Sequence, residues 1–245
     1  MDIYILTIAV IYVIIRLFID ILQISFINNH KITNDEIEKL EINVKDYDIA
    51  KSYNLSKLYL SLGRLLIDAS LIYTFLMMDG LLFLTEYISD TYMFLPYHFM
   101  ILIIFVTLIF ILKTPISFIS VFYVEEKYGF NNMSKKLFFR DSFIGFFFTI
   151  IFTIGAFYIF EFIFFNFNDY WWILFWLSFL SFNFVFLIIY PNFIAPIFND
   201  FRKLTDEKLV RKINNLTNTS KFKVDDIFVM DGSKRSKHSN AYFTG

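Results

Sequence analysis

Long apolar runs limit the fold of this chain more than any other feature. They cover residues 3–27, 62–88, 92–124, 143–165 and 171–198. About 20 apolar residues cross the hydrocarbon core of a bilayer as a helix. In lipid every backbone N–H and C=O needs an internal partner, so only helices and closed barrels span. The runs are too long and too unalternating for barrel strands. They predict a mainly α, polytopic membrane protein with five transmembrane helices. With 57% hydrophobic residues and a mean hydropathy of +0.58, the chain has more apolar surface than a soluble globule hides. The lipid bilayer is its expected solvent. The N-terminal run lacks a basic leader and a small-residue cleavage site, so it reads as a retained span.

Composition removes several classes of function. There is no Cys, which excludes disulfides, thiolate metal sites and Cys nucleophiles. A formal net charge of −1, with no basic stripe outside the apolar runs, gives no sign of nucleic-acid binding. No internal repeat is visible, which argues against a transporter built from inverted halves.

Charge placement predicts an orientation. Lys and Arg concentrate in the connections 28–61 and 125–142 and in the tail from 199, whereas 89–91 and 166–169 hold none. By the positive-inside rule the tail is cytosolic. The four sequons, at Asn54, Asn132, Asn215 and Asn218, then all face the cytosol and stay unglycosylated.

Within the apolar runs a few charges stand out. Arg16 and Asp20 are four apart, on one helix face, where they can pair or form a polar wall. Asp68 and Asp79 are eleven apart, three helical turns, which puts both on one face of an unbroken helix. Lys113-Thr114-Pro115 reads as a break or an exit from the membrane, and Pro191 and Pro196 as kinks or an end. Residues 28–61 read as a solvent loop with a short helix over Asn34–Leu40. Beyond residue 198, Thr205 is the expected cap of a helix whose Leu209, Ile213 and Leu216 form a packed stripe. A buried strand is expected at Ile227–Met230, and an edge strand at Asn240–Thr244. Glu125 and Glu126 read as structural. Lys234, Arg235 and Lys237 read as a solvated basic turn or as contacts to a substrate carboxylate or anionic headgroups.

The last fourteen residues, GSKRSKHSNAYFTG, are the densest polar stretch of the chain. They resemble the signature of the type I CAAX prenyl endopeptidases. Lys51–Leu62 (KSYNLSKLYLSL), Val124–Asn131 (VEEKYGFN) and Tyr190–Phe198 (YPNFIAPIF) resemble further segments of that family in the same order. The resemblance implies a membrane-embedded zinc metalloprotease that removes the C-terminal tripeptide from prenylated CAAX proteins, in the endoplasmic reticulum. It implies that residues 1–198 are the transmembrane part and that 199–245 begin a small cytosolic α+β peptidase domain. It also implies that Asn240, Ala241 and Tyr242 hold the substrate as an added strand, the Asn amide meeting the substrate backbone. An ordinary sheet edge is the plain alternative.

Such a protease needs His-Glu-x-x-His on a helix, with two His ligands and a Glu that activates water. The chain's three His, at 30, 98 and 238, are not so spaced. His238 is not expected to bind metal, and the family's ligands lie downstream of the signature. The expectation is an N-terminal portion of the protease that by itself binds no catalytic zinc and cleaves nothing. An inactive membrane scaffold or peptide binder is the alternative function; a small transporter or channel is a third.

Overall fold

The computed structural model describes residues 3–89, 96–167, 169–220, 224, 226–238 and 241. Contacts divide the chain into one unit of residues 1–131 with 135–157 and another of 132–134 with 158–245.

In the first unit, α1 (Ile3–Asn29), α3 (Val44–Ile72) and α5 (Tyr97–Ile119) are the long helices; α2 (Asn34–Leu40) and α4 (Gly80–Ser89) are short. The first part of α6 (Lys135–Asn166) completes the unit. Five segments are long and apolar enough to cross a membrane: Tyr4–Asn29, Val44–Leu76, His98–Glu125, Lys135–Asn166 and Trp171–Phe198. The protein is therefore an integral, multi-pass membrane protein. Many large apolar side chains are exposed, Phe147, Trp172 and Leu187 among them. That is stable only with lipid as the solvent on that side.

Several local expectations are corrected. The loop ends at residue 43, because Asn43 is extended and its side chain caps α3 by accepting from the Lys45 amide at 3.0 Å. The polar residues 44–61 thus extend the second span instead of preceding it. Pro115 does not break α5. The Thr114 hydroxyl bonds the Phe110 carbonyl at 2.6 Å, and membrane helices tolerate Pro where neighbouring groups and local π adjustments meet the freed backbone. The helix runs on through a π-helical turn to Glu125. Asp68 and Asp79 do not share a helix face, because the helix breaks between them. After a π-turn at Tyr73–Met77, Asp79 takes the left-handed conformation at φ 53° and α4 begins. Asp68 instead pairs with Lys113 at 2.5 Å.

Arg16 and Asp20 do not pair either. Asp20 is 3% exposed and accepts from the Ser61 hydroxyl at 2.9 Å. Arg16 is exposed, and among the described residues no ion pair joins the two. The packing of α1 on α3 brings a hydroxyl to the carboxylate from another helix.

The break at Asp79 makes two mutations opposite in sign. A Cβ on Gly80 would lie 2.7 Å from the Thr74 carbonyl oxygen. Gly80→Ala should therefore destabilise by about 1–3 kcal/mol, the usual cost of overpacking. Asp79→Gly should stabilise by about 1 kcal/mol, since an L-residue pays for the left-handed conformation and Gly does not. Denaturant unfolding in mixed micelles measures both, and equal signs would contradict the geometry.

The second unit contains the end of α6, then α7 (Trp171–Ile189), a π-turn at Tyr190–Ile194 holding Pro191, and α8 (Ala195–Phe198) holding Pro196. Strand β1 (Phe201–Lys203) pairs antiparallel with β2 (Phe228–Met230), Phe201 opposite Met230. Helix α9 (Glu207–Thr219) lies between them in sequence. Its cap is Asp206, not Thr205, accepting from the Lys208 and Leu209 amides at 2.9 and 3.1 Å. The stripe on α9 is only partly covered: Ile213 is half-buried, whereas Leu209 is 45% and Leu216 69% exposed. The strand at Phe228–Met230 forms where expected but is exposed, not buried.

Candidate functional site

Two of the four family-like segments meet in the first unit. Lys51 donates to the carbonyls of Asn28 and His30, each at 3.0 Å. These belong to the end of α1, where carbonyls lack helical partners and a cation is favoured. Two residues on, the Tyr53 hydroxyl donates to Glu125 at 2.8 Å, and Lys57 donates to the same oxygen at 2.7 Å. The rings of Tyr128 and Phe130 pack edge-on against Tyr53, with centroids 5.3 and 5.2 Å away.

Gly129 makes this turn possible. At φ 75° it lets the chain reverse, so that the Phe130 amide returns to the Glu125 carbonyl at 2.8 Å. Glu126 accepts from the Asn131 side chain at 2.7 Å. Both glutamates are thus engaged with protein groups, in line with the structural reading.

The other two segments meet in the second unit. The Arg235 guanidinium donates to the Asn199 side-chain oxygen at 2.9 Å and to the Phe198 carbonyl. The Asn132 amide donates to the Arg235 carbonyl at 3.1 Å, and the Asn132 side chain donates to the Ser233 carbonyl at 2.8 Å. Lys234 bridges Asp231 at 2.6 Å and Asp200 at 3.1 Å. Asp231 in turn accepts from the Asp200 amide at 2.8 Å. Lys234 stays exposed to solvent, at 60%, but both it and the half-buried Arg235 are engaged with protein acceptors. Each side chain closes the tail onto the end of the last apolar helix. Sequence gave no sign of Asn132, Asn199, Asp200 and Asp231 as partners, since all four look like ordinary loop residues.

The cluster has a pH signature. The Lys234 ammonium beside Asp231 holds that carboxyl below its ordinary range, against an opposing effect of burial, and the Asp200 amide adds to the lowering. Lys234 is raised, first by Asp231 and then by Asp200. A lowered carboxyl contributes stability above about pH 4, lost as pH falls through its folded value. A raised ammonium contributes below about pH 10.4, lost as pH rises through its own. An NMR titration should place the Asp231 midpoint below the ordinary Asp value. Lys234→Ala should return it toward that value, and an unmoved midpoint would rule out the ammonium as the cause.

Of the expected substrate-binding residues, Asn240 and Tyr242 lie outside the described residues. Ala241 is exposed and belongs to no helix or strand. The expected strand Asn240–Thr244 is otherwise outside the description. His238 is exposed, its amide bonded to the Ser236 hydroxyl at 3.2 Å. Among the described residues no three His, Asp or Glu side chains converge as metal ligands would.

Comparison with known proteins places this architecture. A family model described as the CAAX prenyl protease N-terminal region, with five membrane helices, matches residues 23–200. The chain belongs to the CAAX prenyl protease family. CAAX prenyl protease 1 of Saccharomyces cerevisiae is 41% identical over 134 residues, 54% of this chain and 29% of that protein. The Arabidopsis thaliana homologue is 38% identical over 131 residues, covering 54% and 31%. The Homo sapiens homologue is 35% identical over 131 residues, covering 54% and 28%. The crystal structure of S. mikatae Ste24p superposes with a TM-score of 0.82 at 26% identity, over 98% of this chain and 57% of that one. The matches thus span under a third of these curated relatives and just over half of the solved chain. Within the CAAX protease family framework, the Tyr53–Lys57–Glu125 and Lys234–Arg235 clusters are the joints between its family-like segments.

Proposed function

We propose that this chain is the N-terminal portion of a zinc-dependent membrane endopeptidase that removes the C-terminal tripeptide from prenylated CAAX proteins. The observation that carries this is the family match over residues 23–200. The protein sits in the endoplasmic reticulum membrane with its tail in the cytosol. Asn240, Ala241 and Tyr242 form an edge to which the substrate adds as a strand, its main chain fixed by backbone hydrogen bonds. The Asn240 amide has both a donor and an acceptor for the peptide group at the scissile position. Ala241 leaves room for the substrate backbone.

The described residues do not fit a zinc site, since they offer no converging ligand set. This stretch by itself binds no catalytic zinc and hydrolyses nothing. In the complete protein zinc would supply Lewis acidity and an activated water.

The test is a reconstitution in liposomes with a farnesylated CAAX peptide, read by mass spectrometry. The complete reading frame should release the tripeptide, and a chelator should stop it. An untouched peptide would reject the protease and favour a scaffold. Tripeptide release by residues 1–245 alone would reject the inactivity of this portion. Orientation is tested separately by glycan shift on the protein made in microsomes. None of Asn54, Asn132, Asn215 or Asn218 should carry glycan, and glycan on any one overturns the orientation.

A further inference from the structure

We infer that Arg235 is a positioning residue: its guanidinium fixes where the substrate-binding segment emerges by clamping the tail to the end of the last apolar helix. The inference rests on the proposed role of Asn240–Tyr242 and adds a residue that does not touch substrate.

The geometry is specific. The last apolar segment ends at Phe198. Carbonyls in the last turn of a helix lack helical partners. One guanidinium nitrogen of Arg235 donates to the Phe198 carbonyl, and the other donates to the Asn199 side chain at 2.9 Å. A planar fork can satisfy two such acceptors together, whereas a Lys ammonium is a compact point charge. The cation also meets the negative end of the helix dipole.

The backbone of the same residue is held from the opposite side by the Asn132 amide at 3.1 Å. The Arg235 and Ser236 amides both return to the Gly232 carbonyl, at 2.9 and 3.2 Å. Residues 232–236 thus form a closed turn anchored through one side chain and one carbonyl. Asn240 follows Ser236 by four positions, a chain reach of at most about 14 Å. Anchoring the turn therefore limits the volume from which Asn240 can meet a peptide. Less conformational freedom before binding means less to lose on binding.

The clamp acts on substrate affinity and not on the chemical step, and that separates it from a group that touches the reacting atoms. Arg235→Ala removes a charged double hydrogen bond. Hydrogen exchange of the protein in lipid nanodiscs should then speed up by about tenfold over residues 132–134 and 231–238, with α7 unchanged. In the complete enzyme KM for a farnesylated peptide should rise by about tenfold, with kcat within about twofold. Arg235→Lys should recover only part of both effects.

If Arg235→Ala also unfolds α7, the milder Asn199→Ala decides. It keeps the Phe198 carbonyl and should change exchange and KM in the same direction by about threefold. Unchanged exchange in the folded variant overturns the clamp. Faster exchange with unchanged KM overturns the positioning role. A wild-type enzyme that cleaves no prenylated peptide instead sinks the proposed function, and the exchange result still stands or falls separately.

Discussion

Glu125→Ala should cost the protein about 2 kcal/mol, a large loss for a side chain held by hydrogen bonds alone. Its carboxylate accepts from Tyr53 at 2.8 Å and Lys57 at 2.7 Å, and its side chain is only 14% exposed. Truncation leaves a phenol and an ammonium without that acceptor, and groups left unmatched cost more than the mean hydrogen bond. The figure stays near 2 because Lys57 is 43% exposed and water takes back part of its charge. Tyr53→Phe removes a single hydroxyl and should cost about 1 kcal/mol. Unfolding in mixed micelles measures both. The double variant should lose less than the two summed, because the residues share one interaction. Additive losses, or a Glu125→Ala loss below about 0.5 kcal/mol, would mean that this joint does not hold α3 to the end of the third span.

Asn240→Ala should lower kcat/KM of the complete enzyme by about 100-fold. Two hydrogen bonds from a side-chain amide to a bound peptide group, each near 1.4 kcal/mol, give that factor. Asn240→Asp keeps the acceptor and loses the donor, so it should fall between. Peptide cleavage in liposomes at several substrate concentrations measures the effect, and zinc content should stay unchanged. A kcat/KM within about twofold of wild type would remove Asn240 from the substrate edge. This result differs from that expected of Arg235, where the loss lies in KM alone.

Much of the molecule was legible in order of residues alone. The helical class, the five spans, α2 and the position of β2 all followed from local pattern. So did the family, because GSKRSKHSNAYF and VEEKYGFN are long specific words. Span limits were harder. Asn43 starts α3 well before the apolar run does, since an amphipathic helix continues wherever a cap begins it and no Gly or Pro stops it. The helix of the third span ran on through Pro115, whereas Asp79-Gly80 ended one with no proline present.

What sequence by itself determined was the solvent. Apolar runs of that length cannot be placed in water, and in lipid the backbone must bond within its own helix. Those constraints are local and act on every residue of a run. Only the tertiary structure decided how the charges are matched. Asp20 meets Ser61 and not Arg16, Asp68 meets Lys113, Glu125 meets Tyr53 and Lys57, and Arg235 meets Phe198 and Asn199. Each partner is remote along the chain, and which donor reaches a carboxylate depends on helix crossing and rotation. Within the apolar spans, where no water is at hand for Asp20 or Asp68, that geometry settles which charges are held.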